Sequence, residues 1–146
     1  MNFVAAVRKG LDANDRAIAA RQEMDAVLQE ASKQLTEALG GELILQFAGS
    51  LVGTVQAITN KLAGTDVPPM GVLEVVNKAS QFEHLADVSF GELGYPVTLR
   101  WGNERGYATN RAEFEVALTQ LLESRITGER IGRVLSGSQR QLSTSA

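Results

Sequence analysis

Twenty-six consecutive residues, Asn14 to Leu39 (NDRAIAARQEMDAVLQEASKQLTEAL), contain neither Gly nor Pro and are rich in Ala, Gln, Glu, Arg, Leu and Met. These are the strongest helix formers. Apolar residues recur at Ala20, Met24, Val27, Leu28, Ala31, Leu35 and Leu39, a stripe at helical spacing. Asn14 can cap the start, Asp15 falls in the first turn, and Gly40-Gly41 stops the helix. An amphipathic rod of that length runs roughly 39 Å at 1.5 Å per residue. It needs a covering surface along most of its length, supplied by its own domain or by a second copy. Met24, Val27, Leu28, Ala31 and Leu35 are therefore the candidate self-association residues.

Upstream, Asn2 to Gly10 reads as a short helix burying Phe3, Val4 and Val7, with Gly10 and Asp12-Ala13-Asn14-Asp15 as an interruption. The alternative is one continuous helix. Val4, Leu11 and Ile18 are then seven apart, as are Val7, Asn14, Arg21, Leu28 and Leu35, the core positions of a coiled coil. In that arrangement Arg21 and Asp25 fall inside the seam, at a cost in stability.

After the glycine stop, Glu42 to Ala48 is apolar on both faces and reads as a central strand. Residues 51–62 fit helix or strand; β-branched residues favour a strand, with Gly49-Ser50 as a hairpin turn. Residues 64–71, with two adjacent prolines, read as a loop. Val72, Leu73, Val75, Val76, Ala79, Phe82 and Leu85 form a helical stripe over residues 71–86. Two strands follow, Asp87–Leu93 and Pro96–Trp101, around a tight turn at Gly94-Tyr95. Residues 102–109 read as a polar loop, and Asn110 with Glu113 as a capping-box start to a helix carrying Phe114, Ala117, Leu118, Leu121 and Leu122. Ile131, Val134 and Leu135 belong to a terminal helix, although Gly128-Glu129 also suits a hairpin turn. Residues 136–146 read as a flexible tail.

The expected fold is α+β: a long N-terminal amphipathic helix and a small, mainly antiparallel sheet of 3–4 strands with helices on one face. The expected organisation is one domain over residues 1–135, helical to residue 39, followed by the tail.

Composition excludes several functions. With no cysteine among 146 residues, disulfides, thiolate nucleophiles and Cys-ligated metals are out. No stretch resembles a signal peptide or a membrane span, so a cytoplasmic protein is expected. The net charge of −3 is uneven: 7 basic against 12 acidic side chains over residues 1–99, and 7 against 5 beyond. That asymmetry is mild for a nucleic-acid binder.

Individual motifs give weak signals. His84, the only histidine, sits three residues before Asp87; without a second His or Cys this makes no complete metal site, and a surface role near a helix end explains it. Gly49 to Thr54 follows a strand but lacks the P-loop lysine and the bracketed serine of a nucleophile elbow. Arg125, Arg130, Arg133 and Arg140 make a basic stripe, interleaved with Glu123 and Glu129. Asp15, Glu23, Asp25, Glu30 and Glu37 mark a solvated helix face.

The densest cluster is Tyr95, Arg100, Trp101, Asn103, Arg105, Tyr107 and Arg111, with Glu104 and Asn110 among them. Trp, Tyr and Arg dominate interface hot spots. The expected function is non-catalytic: an inhibitor, adaptor or chaperone-like accessory protein that binds a protein partner and forms a homo-oligomer, most simply a dimer. No cofactor or metal is expected. Nucleic-acid binding through the Arg-rich C-terminal third is the alternative, followed by a metal-free enzyme built from Arg, Tyr and a carboxylate around the same loop.

Overall fold

The computed structural model describes residues 2–49 and 70–144, from 138 onward as backbone only. The readings of residues 51–62, of the glycine-rich Ser50–Thr54 and of the loop at residues 64–69 lie outside the described residues; Met70 and Gly71, the latter expected in that loop, begin a strand instead.

The N-terminal helix is continuous. Helix α1 spans Phe3–Leu39, 37 residues, about 55 Å at 1.5 Å per residue. Asn2 caps it, its side-chain oxygen accepting from Ala5 N–H at 3.1 Å. The expected break at Gly10 and Asp12–Asp15 does not occur. A solvated glycine costs a helix only about 1 kcal/mol, and Asp12 pairs with Arg16 one turn on, at 3.2 Å. Gly40 ends the helix as expected, at φ 73° with its N–H on Thr36 O.

Strands β1 (Leu43–Gly49), β2 (Met70–Asn77), β3 (Phe82–Gly91), β4 (Gly94–Trp101) and β5 (Glu104–Ala108) form one antiparallel sheet in the order β1-β2-β3-β4-β5. Helices α2 (Arg111–Glu123) and α3 (Arg125–Thr144) follow. The class is α+β with an N-terminal helix, and the sheet has five strands, not three or four. Among the described residues no helix is long and apolar enough to cross a membrane.

Four expectations about strands change. Residues 71–86 are not a helix; they are β2, a turn and the start of β3. Val72 and Val76 point to one side of β2 and Leu73 and Val75 to the other, and a strand apolar on both faces imitates a helical stripe. The β3–β4 turn falls at Glu92-Leu93, because Gly91 pairs with Gly94. Residues 102–109 are not a loop: after the two-residue turn Gly102-Asn103, β5 pairs with β4 from Trp101↔Glu104 to Val97↔Ala108. Strand β1 is an edge strand of the described sheet and not a central one.

One sheet face is buried. Leu43, Leu45, Leu73, Val75, Ala86, Val88, Val97, Leu99 and Trp101 meet Met24, Val27 and Leu28 of α1, Phe114, Ala117, Leu118 and Leu121 of α2, and Ile131 and Val134 of α3 in one core. The opposite face exposes Ile44, Gln46, Asp87, Arg100 and Tyr107. Asn110 caps α2 as the sequence predicts, accepting from Glu113 N–H at 2.9 Å, while Glu113 accepts from Thr109 N–H at 2.9 Å. Ser124 caps α3 through Thr127 N–H. This helix excludes the hairpin turn at Gly128-Glu129, and its span extends past Leu135 into the residues read as a tail.

Candidate functional site

Only the first half of α1 projects from the body. Its buried residues are Ala20, Met24, Val27, Leu28 and Ser32. Before Ala20 every large apolar side chain is open: Val4 is 64% exposed, Val7 60%, Leu11 59% and Ile18 49%, with Phe3 beside them. Of the nominated self-association residues, Met24, Val27 and Leu28 are buried and Ala31 and Leu35 half-buried, all packed in the chain's own core. The lower seam is covered by the same molecule. The free stripe is the upper one, which the heptad spacing marks.

Arg21 sits where the two halves meet. Its guanidinium lies over the rings of Phe90 and Phe47, 4.3 and 4.7 Å from their centroids, and those rings meet edge to face at 5.1 Å. The arginine that a coiled-coil seam would reject is thus turned onto aromatic faces, where a cation is attracted to the ring quadrupole.

The cluster around β4 and β5 divides. Strand alternation and the register put Arg100 opposite Arg105 and Thr98 opposite Tyr107 on the open face. Trp101 points the other way, into the core. Tyr95 is half-buried on the core side; burial pushes its phenol above the usual range, Glu23 adds to the rise, and Arg111 opposes it. Asn103 sits at the hairpin turn, and Arg111 pairs with Glu115 at 3.2 Å on α2. Three of the seven residues therefore share one surface: Arg100, Arg105 and Tyr107. Among the described residues neither arginine has an ion-pair partner within 4.0 Å, and like charges directly opposite on a sheet repel.

A groove of about 330 Å³ runs between β5 and α2, lined by Arg105, Tyr107, Glu113 and Val116 among others. A small pocket of about 60 Å³ is lined by Asp87 and Arg100. Among the described residues, Tyr107 and Glu113 line the groove and Arg100 lines the small pocket. Glu113 is held by Thr109, whose hydroxyl and N–H keep its carboxyl below the usual glutamate range.

His84 and Asp87 do meet, Nε2 to Oδ1 at 3.0 Å, but on a strand. The β2–β3 register pairs Leu73 with Ala86 and Glu74 with His84, leaving Leu85 as an extra residue. That bulge resets the alternation and brings residues three apart to one side. Among the described residues no group of three potential ligands surrounds them. The C-terminal arginines tie α3 to β3: Arg130 donates to His84 O at 2.6 Å, and Arg133 pairs with Glu83 and Glu129, both at 3.3 Å.

Sequence reasoning missed Asn77, a buried amide at the end of β2. It donates to Val134 O and to Gln81 Oε1, both at 2.9 Å, and accepts from Ala79 N–H at 2.9 Å and Gln81 N–H at 3.0 Å. The signal was the polar run Asn77-Lys78-Ala79-Ser80-Gln81, a turn in the middle of an imagined helix. Comparison with family models, with curated proteins and with solved structures finds no match to this chain.

Proposed function

We propose that this chain is a non-catalytic binding protein, an accessory factor of the inhibitor, adaptor or chaperone-like kind, that acts through protein–protein contacts and self-associates by its amphipathic N-terminal helix. The observation that carries the reading is the open stripe Val4, Val7, Leu11 and Ile18 on a helix that outruns its own domain. A segment of this length gains little helical stability in isolation, and packing of the stripe supplies the missing support. Its compartment in this reading is the cytoplasm, with which a cysteine-free chain is compatible.

The direct test is solution mass by light scattering. The full chain is expected at about twice its 15.7 kDa. Val7→Glu with Leu11→Glu is expected at the single mass with an unchanged core, because both positions are exposed. A wild-type monomer at all accessible concentrations removes the self-association half of the reading.

Nucleic-acid binding is the second reading, favoured by the adjacent Arg100 and Arg105 beside exposed Tyr107 on an open sheet face, with Asp87 opposite Arg100. Two arginines suit a phosphate and a tyrosine a stacked base. Salt-sensitive binding of single-stranded RNA or DNA, lost in Arg100→Glu with Arg105→Glu, supports it; no binding at low salt removes it.

A further inference from the structure

The open stripe of α1 carries enough information to name its occupant and direction. We infer that a second copy of this chain lies antiparallel along residues 3–18, with Val7 of one copy against Ile18 of the other and Arg8 of each beside Asp15 of the other. This rests on the self-association reading above and adds the geometry of the pair.

Position on the helix comes first. At 3.6 residues per turn, Val4, Val7, Leu11 and Ile18 fall within about 60° of one another, roughly 140° around from the centre of the buried Ala20, Met24, Val27 and Leu28. A helix laid on the stripe therefore clears the sheet that α1 already covers. The spacings 4, 11, 18 and 7, 14 are the a and d positions of a heptad, which suit a helical partner with the same repeat.

Area and charge choose the partner. The five open apolar side chains, Phe3 included, expose on the order of 600 Å² per chain, so two copies together remove at most on the order of 1,200 Å², the lower end of specific interfaces. The flanking e positions hold Arg8 and Asp15, opposite charges one heptad apart. An antiparallel pair centred between Leu11 and Asn14 sets each Arg8 beside an Asp15 twice over, by symmetry. It also packs Val7 on Ile18 and Leu11 on Asn14, and it opposes the two helix dipoles. In a parallel pair the next a position, the exposed Asp25, would face its own copy, and Arg8 would lie beside Phe3. Asn14 in the seam costs stability but fixes the register.

Because the chain has no cysteine, single-cysteine variants report the geometry directly. Val7→Cys and Ile18→Cys chains are mixed, oxidised and weighed intact, with circular dichroism confirming the fold. The mixed 7–18 disulfide is expected to dominate, with Val7→Cys alone staying uncrosslinked. Homodisulfides at 7 and at 18 without the mixed species would overturn the antiparallel geometry while leaving self-association standing. No disulfide together with a monomeric mass would overturn both, and so would capture of a monomeric chain by anionic phospholipid vesicles. Asp15→Arg is expected to raise the dissociation constant about fivefold, and Arg8→Asp in the same chain to restore it within about twofold. An unchanged constant in Asp15→Arg would overturn the Arg8–Asp15 contact.

Discussion

Ser32 Oγ accepts a hydrogen bond from Leu45 N–H at 2.8 Å while donating to Leu28 O at 2.7 Å. One turn later Thr36 Oγ1 accepts from Leu43 N–H and donates to Leu43 O, both at 3.1 Å. The periods match: four residues of helix advance about 6.0 Å and two of strand about 6.6 Å. Two hydroxyls on α1 thus engage the backbone of edge strand β1, which would otherwise offer a template for another chain. Ser32→Ala leaves the Leu45 N–H buried without this partner and is expected to cost about 1–3 kcal/mol in urea unfolding. Thr36→Val, at a partly exposed position, is expected to cost less.

Asn77 fixes the β2–β3 turn and the docking of α3 at once. Asn77→Leu removes four hydrogen bonds and leaves Ala79 N–H and Gln81 N–H without these partners. A loss of about 2–4 kcal/mol is expected, read as a lowered denaturation midpoint.

Gly94 lies under α1 at the β3–β4 turn. Its φ is +87°, and a Cβ there would come within 2.6 Å of Ala20 Cβ. Gly94→Ala therefore combines backbone strain with displacement of the helix that carries the exposed apolar stripe. A loss of at least about 2 kcal/mol is expected on thermal unfolding. Gly10→Ala, with nothing within 4 Å, is expected to stabilise α1 by about 0.5–1 kcal/mol.

Glu113 gives the stability curve part of its acid limb. Its carboxyl titrates below the ordinary glutamate range because Thr109 donates to the charged form. A lowered folded-state pKa means the contribution is complete above the unfolded-state pKa and fades as pH falls through the folded one. Glu113→Gln is expected to flatten the fall in stability over that acid window and to change little elsewhere. Asn110→Ala, which removes the other half of the capping box, is expected to cost about 1 kcal/mol at any pH.

Legibility followed the range of the interaction involved. The lower part of α1, its glycine stop and the Asn110–Glu113 cap were readable because each depends on neighbours within one helical turn. Continuity through Gly10 was not, since a weak propensity signal looks like a break. Strand β2 imitated a helix because it is apolar on both faces, and the Leu85 bulge broke the alternation of β3. Strand β5 looked like a loop because Gly106 occupies one of its core-facing positions, beside Ala108. At Gly106 a Cβ would lie 3.0 Å from Ala117 Cβ and 3.2 Å from the Trp101 ring, so any larger residue would have to push α2 or the indole aside by a few tenths of an ångström. The Tyr95–Arg111 cluster was found as a composition, but strand alternation, invisible without the correct register, splits it and leaves Arg100, Arg105 and Tyr107 together.

Amide hydrogen exchange of residues 3–18, followed across a hundredfold range of protein concentration, tests the proposed self-association most directly. Protection that rises with concentration in this segment, while the protection of Met24 to Leu28 stays constant, is the predicted result. Rapid exchange of residues 3–18 at every concentration, with the core fully protected, would contradict it.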